Sequence, residues 1–284
     1  MKFRAHAGVD HRRVRVLAHV LNSGWAISPR ITGAIVKHVL FHPQAYPLSS
    51  KEEELLRTAR DFRFSVHDKR IRTYVWGEGP GVLFVHGWNG RGIQFHRFIA
   101  PLLAKGYSAV AIDGPAHGES EGRHTNYFEF SDTVRAFMKL ERRPQIKGII
   151  AHSLGASAAV NCQSKDKHPV KMVLLAPAVR MREMLQQNLE RYGVSLRIFE
   201  AMIEDYERQY GYSLIEDDPI RLLRDIQSDI LIVHDRKDQA TPFVDVQETS
   251  AANPRIQFFP TEGLGHFRLL ATERIIDKAI DFLT

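Results

Sequence analysis

Apolar residues recur with a helical period over the first forty positions. Val14, Leu17, Ala18 and Leu21 share one face, and after the Ser28-Pro29 break Ile31, Ile35, Val39 and Leu40 follow at similar spacing. The pattern predicts helix over residues 9–41, interrupted near Pro29 and ended by His42-Pro43. Ser50, followed by Glu52, Glu53 and Glu54, predicts a second, short helix to about Arg60, its hydroxyl capping the first amides and its acids near the positive end of the helix dipole. The period then shortens. Phe62, Phe64 and Val66 alternate with polar residues, and Ile71-Arg72-Thr73-Tyr74-Val75-Trp76 runs into Gly79-Pro80-Gly81, which predicts a hairpin. Short apolar runs come next, at residues 82–85, 108–112, 148–151, 172–175 and 230–233, each separated from the next by a helical stretch. A strand that is apolar throughout is covered on both faces, so this alternation predicts an α/β fold with a mostly parallel central sheet flanked by helices.

One interval is too long for a single crossover helix. Between Ala178 and Gln227 apolar residues keep helical spacing, among them Met181, Met184, Leu185, Leu189, Phe199, Met202, Ile203, Tyr206 and Tyr210. A helical cap inserted between two core strands is expected over residues 180–225. Met184, Phe199 and Met202 are its candidates for binding substrate, the alternative being that such a stripe packs the cap on the core. The expected organisation is a helical extension over 1–60, core over 61–179 and 226–284, and the cap between the two core segments.

With 284 residues, 44% of them hydrophobic, the chain can bury a large core. Its 39 Lys and Arg exceed its 33 Asp and Glu by six, but the basic residues are mostly dispersed and no nucleic-acid partner is expected. The exception is the beginning, where Lys2, Arg4, Arg12, Arg13 and Arg15 stand among His6, His11 and His19. They form either a solvated helix face or a weak contact with an anionic membrane surface. The single cysteine, Cys162, leaves no intramolecular disulfide framework. No cleavable leader pattern and no apolar run long enough to span a bilayer are evident, so a cytoplasmic protein is expected.

Four short stretches carry the chemistry, each just after a predicted strand. The first is Ala151-His152-Ser153-Leu154-Gly155-Ala156, which opens a helix of small residues. The second is Val85-His86-Gly87-Trp88. The third is Ile232-Val233-His234-Asp235-Arg236-Lys237-Asp238, followed by Thr241-Pro242, and the fourth, just after a further strand-like run from Ile256 to Phe259, is Gly263-Leu264-Gly265-His266-Phe267. Singly, each also reads as an ordinary turn, a solvated acidic loop or a structural histidine. Together they place Ser, Asp and His in the chain order of the α/β-hydrolase fold.

The chain resembles the α/β-hydrolase superfamily from about Phe62 onward, in its serine hydrolase and esterase-like branch. The first stretch resembles the nucleophile elbow, with Ala151 in place of the usual glycine. The third resembles the family's His-Gly-x-x-Asp, with Asp235 at the glycine position. Asp113-Gly114-Pro115-Ala116-His117-Gly118-Glu119-Ser120 resembles the family's Asp-x-Pro-x-x-Gly-x-Ser loop, which is structural. The resemblance implies Ser153 as nucleophile, His266 as general base and Asp238 as orienting acid, with Asp235 the competing acid. It also implies the amides of Trp88 and Leu154 as oxyanion donors and His152 beside the substrate. The expected reaction is hydrolysis of a small-molecule ester through an acyl-enzyme. Thioester, amide or peptide hydrolysis, acyl transfer and noncatalytic ligand binding remain alternatives. No metal or organic cofactor is expected, since no His-Glu-x-x-His, paired-cysteine, phosphate-loop or dinucleotide pattern is present.

Overall fold

The apolar runs become the strands of one eight-stranded sheet in a computed structural model that describes residues 11–166 and 169–284. The strands are β1 (Arg60–Val66), β2 (Lys69–Trp76), β3 (Gly81–Val85), β4 (Ser108–Ile112), β5 (Ile146–His152), β6 (Lys171–Leu175), β7 (Ile230–Asp235) and β8 (Ile256–Thr261). In chain order the helices are α1 (His11–Ile27), α2 (Pro29–Phe41), α3 (Ser50–Arg57), α4 (His96–Ala104), α5 (Tyr127–Met138) and α6 (Leu154–Ser164). They continue with α7 (Met181–Arg191), α8 (Leu196–Tyr210), α9 (Pro219–Asp225), α10 (Phe243–Ala251) and α11 (Glu273–Leu283). Lys2, Arg4 and His6, part of the basic beginning, lie outside the described residues.

The chain divides into two compact units, His42–Arg180 with Glu216–Thr284, and Met1–Phe41 with Met181–Ile215. The first contains the sheet, ordered β1-β2-β4-β3-β5-β6-β7-β8. β1 and β2 form the expected hairpin and β2 joins β4 antiparallel, while every pairing from β4 through β8 is parallel. β3 is apolar and buried throughout, and β5 is buried everywhere except at Lys147, because both faces are covered. Val82, Phe84, Ile150, Val173 and Leu231 join Phe98 and Leu102 of α4 and Ile276, Ala279 and Ile280 of α11 in one core cluster. Alternate strand residues face the other side. There α5, α6, α9 and α10 pack one on the next.

The strand order changes direction at β3, which has β4 on one side and β5 on the other. The carboxyl ends of β3 and β5 therefore flank a topological switch point, where an open α/β sheet leaves a crevice. Both motif-bearing turns, at His86-Gly87-Trp88 and at Ser153, emerge there.

The second unit joins two segments far apart in sequence. Asn22 donates to the Gly193 carbonyl at 2.8 Å and accepts from the Ser195 amide at 2.9 Å, so one side chain of α1 ties down the turn between α7 and α8. Lys37 of α2 pairs with Asp205 of α8, and Phe41 meets Tyr206 edge-on at 5.1 Å. The extension and the insert, expected as separate regions, thus form one unit. α3 and α9, expected to belong to the extension and the cap, fall with the sheet.

Two local expectations shift. The cap of α3 is Ser49, not Ser50: its hydroxyl accepts from the Glu52 amide while the Glu52 carboxylate accepts from the Ser49 amide, a reciprocal box only that register allows. The helix stops at Arg57, because Arg60 already pairs with Val75 in the β1–β2 ladder.

Candidate active site

Ser153 sits between β5 and α6 with φ 53° and ψ −121°, a backbone conformation that L-residues rarely adopt. The turn is held by its surroundings: the Ser153 amide donates to the Leu175 carbonyl at 3.0 Å, and Ala156 and Ser157 donate back to the Ser153 carbonyl. It also needs two close approaches. A Cβ on Gly155 would lie 2.3 Å from the His86 carbonyl oxygen and 2.4 Å from that of Val85. A Cβ on Gly87 would lie 2.8 Å from that of Ser153. Glycine at both positions lets α6 start against the end of β3, which sets the His86-Gly87-Trp88 turn directly beside the serine. Ala151, in place of the usual glycine, is accommodated with no exposure at all.

The amides of Trp88 and Leu154 donate no hydrogen bond to any described residue. The loop that carries Trp88 is braced from beneath. Asp113 accepts from the Gly92 amide at 2.7 Å and from the Glu119 amide at 2.9 Å. His86 Nε2 accepts from the Gly114 amide at 2.7 Å, and His117 Nε2 accepts from the Asn89 amide at 3.0 Å. Burial pushes His86 down to about 4 and His117 to about 3, so both rings are neutral acceptors at ordinary pH. The loop containing Asp113 and His117 has the structural role its resemblance implies.

His266 follows β8 on a glycine-flanked loop, and its Nδ1–H donates to Asp238 Oδ2 at 2.8 Å. That bond fixes the tautomer and leaves Nε2 with its lone pair. The Asp238 carboxylate is wholly buried, and Ala240 and Thr241 amides donate to its Oδ1 at 2.8 and 3.1 Å. Burial works against its charge, but the hydrogen bond from His266 and the two amides outweigh it and hold the carboxyl below its usual range. Asp235 accepts from the Leu264 amide and the Thr261 hydroxyl at 2.8 Å each, and from the Lys237 amide at 3.0 Å. It too is buried, yet these donors hold it down at about 2. Asp238 faces His266, whereas Asp235 ties together the loops on which both stand.

His152, expected beside a substrate, is instead 1% exposed. Its Nε2–H donates to the His266 carbonyl at 2.9 Å and its ring lies 4.7 Å from that of His266, because the end of β5 directs it beneath the loop. Burial, then the neighbouring His266, lowers it to about 3. It therefore links the serine turn to the histidine loop. Thr241 was not singled out as a site residue, yet its hydroxyl donates to Asp238 Oδ2 at 3.1 Å. The Thr-Pro pair after the acid was the only sequence sign of it. Met184, Phe199 and Met202 lie in the other unit, the first half-buried on α7 and the other two buried on α8, where the Arg182 guanidinium covers the Phe199 ring at 5.3 Å.

Known proteins resemble this chain in sequence and in fold. A "Serine hydrolase-like protein" of Danio rerio is 35% identical over 108 residues, 36% of this chain and 33% of the relative. A "Probable serine hydrolase" of Drosophila melanogaster is 25% identical over 175 residues, 58% of this chain and 51% of the relative. The aligned parts thus span about a third and about half of those relatives' own length. Among solved structures, an esterase of Pyrococcus furiosus matches with a TM-score of 0.61 at 17% identity, covering 86% of this chain and 96% of its own. An esterase of Exiguobacterium antarcticum matches at 0.58 and 17%, covering 76% and 96%. These two likenesses concern the fold. The alpha/beta hydrolase family itself matches residues 82–278, from β3 into α11. That stretch is well over half of the sequence and contains every element of the serine, histidine and aspartate cluster, and the chain belongs to the alpha/beta hydrolase family.

Proposed function

We propose that the protein hydrolyses carboxylic esters through an acyl-enzyme on Ser153. The observation that carries this reading is the 2.8 Å bond from His266 Nδ1 to the buried Asp238, which leaves Nε2 as the free base on a loop tied to the serine turn by His152. His266 Nε2 takes the Ser153 hydroxyl proton as Oγ bonds to the ester carbonyl carbon, and Asp238 stabilises the imidazolium that forms. The carbonyl oxygen becomes an oxyanion held by the Trp88 and Leu154 amides, a contribution of roughly 3–4 kcal/mol per donor in other hydrolases. Collapse breaks the bond to the alkoxy group, which leaves as alcohol with the proton from His266. Water, deprotonated by the same nitrogen, then cleaves the acyl-serine to acid and free enzyme. Each step uses only these groups and water. The esterase neighbours favour an ester over the other acyl substrates.

Fluorophosphonate labelling tests the assignment. The adduct is expected on the peptide containing Ser153, and Ser153→Ala is expected to lose the label and several orders of magnitude of ester turnover while melting like the parent. An adduct on another serine would remove Ser153 from the mechanism. A series of chromogenic esters of increasing acyl length reads the substrate class.

A further inference from the structure

Charge is unevenly divided along this chain. Residues 1–41 hold seven of the 39 Lys and Arg but one of the 33 Asp and Glu, leaving 32 of each sign over the rest, so the whole net charge of +6 belongs to the first 41 residues. Within residues 11–41, the span of α1 and α2, there is no acid at all. The same two helices expose large aliphatic side chains. On α1, Val16, Val20 and Ile27 are 65%, 58% and 86% exposed, and their spacing puts them within about 40° of one another around the helix axis. On α2, Ile31 is 65% exposed, and Ile31, Ala34 and Ile35 line a shallow depression rimmed by Arg30 and His38. Soluble surfaces scatter such residues singly, whereas among the described residues these two neighbouring helices collect five.

We propose that α1 and α2 form a docking surface for an anionic lipid bilayer. A nucleic acid would satisfy the basic residues but not the aliphatic ones, and an apolar protein groove would not require a segment without acids. A lipid interface offers both, acyl chains for valine and isoleucine and headgroup phosphates for arginine and lysine. Lys37 is engaged by Asp205, and Arg30 stands beside Ile31, Ala34 and Ile35 at the rim of the depression. α1 has 17 residues, about 26 Å, and no helix among the described residues is long and apolar enough to cross a membrane. The pair lies on the bilayer surface, which is reversible and salt-sensitive.

Vesicle sedimentation of the full chain tests this. Binding to phosphatidylcholine vesicles containing phosphatidylserine is expected to exceed binding to phosphatidylcholine alone by about tenfold or more, and to fall at high salt. Ile31→Glu with Ile35→Glu replaces exposed side chains and is expected to lower anionic-vesicle binding about tenfold, with the melting curve and ester turnover unchanged. Val20→Glu, on the other helix, is expected to act in the same direction and decides the matter if the double variant does not fold. No binding, equal binding to the two vesicle types, or binding indifferent to these substitutions overturns the proposal. So does a chain that sediments as a dimer and becomes monomeric in the double variant without ever binding vesicles, which would make this a self-association face.

Discussion

Asp235 ends β7 and Asp238 stands in the turn that follows; both carboxylates are buried, and their partners separate them. Asp238 spends an oxygen on His266, so an asparagine there puts an NH2 or a differently held carbonyl against Nδ1 and disturbs the tautomer on which the base depends. Asp238→Asn is expected to lower kcat on a chromogenic ester by about 10⁴ while the protein remains folded. Asp235 has no part in that bond. Its donors are the Leu264 amide, the Thr261 hydroxyl and the Lys237 amide, so Asp235→Asn is expected to keep most of the turnover and lose melting temperature. Kinetics and circular-dichroism melts of both variants check the pair, and the opposite ranking would move the acid to Asp235. In the sequence, spacing and the following Pro242 favoured Asp238, but which carboxylate turns toward the histidine depends on β8 and its loop, far away along the chain.

At the scale of elements, the serine turn exists because a helix begins almost in contact with a strand. Gly155 is where the two backbones meet, and the atoms its Cβ would strike are carbonyl oxygens, which cannot rotate away as a flexible side chain could. Gly155→Ala must push α6 off the end of β3. A stability loss of about 1–3 kcal/mol or more is expected, together with loss of fluorophosphonate labelling, since the displaced helix carries the Leu154 amide and the serine. Melting curves and labelling of the soluble fraction read both effects, and an alanine variant as stable and as reactive as the parent would contradict the close approach. The strand, the helix and their order were legible from short apolar runs and small residues. The cap of α3 was legible only to within one residue, because Ser49 and Ser50 have the same chemistry and the register is chosen by where the Glu52 amide and carboxylate return.

In the sheet-bearing unit, His86, His117 and His152 are buried in neutral form. Burial, with Arg91 acting in the same direction on the first two, lowers His86 to about 4 and His117 to about 3. His152, with His266 beside it and Asp238 opposing, is lowered to about 3. Each folded value lies below the unfolded value near 6.5, so the unfolded chain binds more protons between the two. Stability is therefore full above about pH 6.5 and is lost as pH falls toward the folded values. Each such group costs about 1.4 kcal/mol per pH unit inside its window, so the three together cost ~4 kcal/mol per unit between roughly pH 6 and 4. Asp235, held at about 2, acts in the same direction only below about pH 4. The melting temperature is expected to be level from pH 7 to 8 and to fall steeply below 6. A flat profile down to pH 5 would mean that these rings protonate in place.

By itself the sequence determined the fold class, the eight strands to within a few residues and the order serine, aspartate, histidine, because each of these is written in local periodicity or in motif spacing. Three things were decided only by tertiary structure. The pairing of residues 11–41 with the 181–215 segment rests on contacts such as Asn22 with Gly193 and Lys37 with Asp205, which no local pattern announces. The position of β4 outside β3, which opens the crevice at the serine, is a choice of strand neighbours. His152 becomes a buried brace and not a substrate contact because a residue's partners across 114 positions are set by where its strand ends. Secondary structure follows from interactions a few residues long, whereas a site is assembled from side chains whose only shared property is the place the packed chain leaves them.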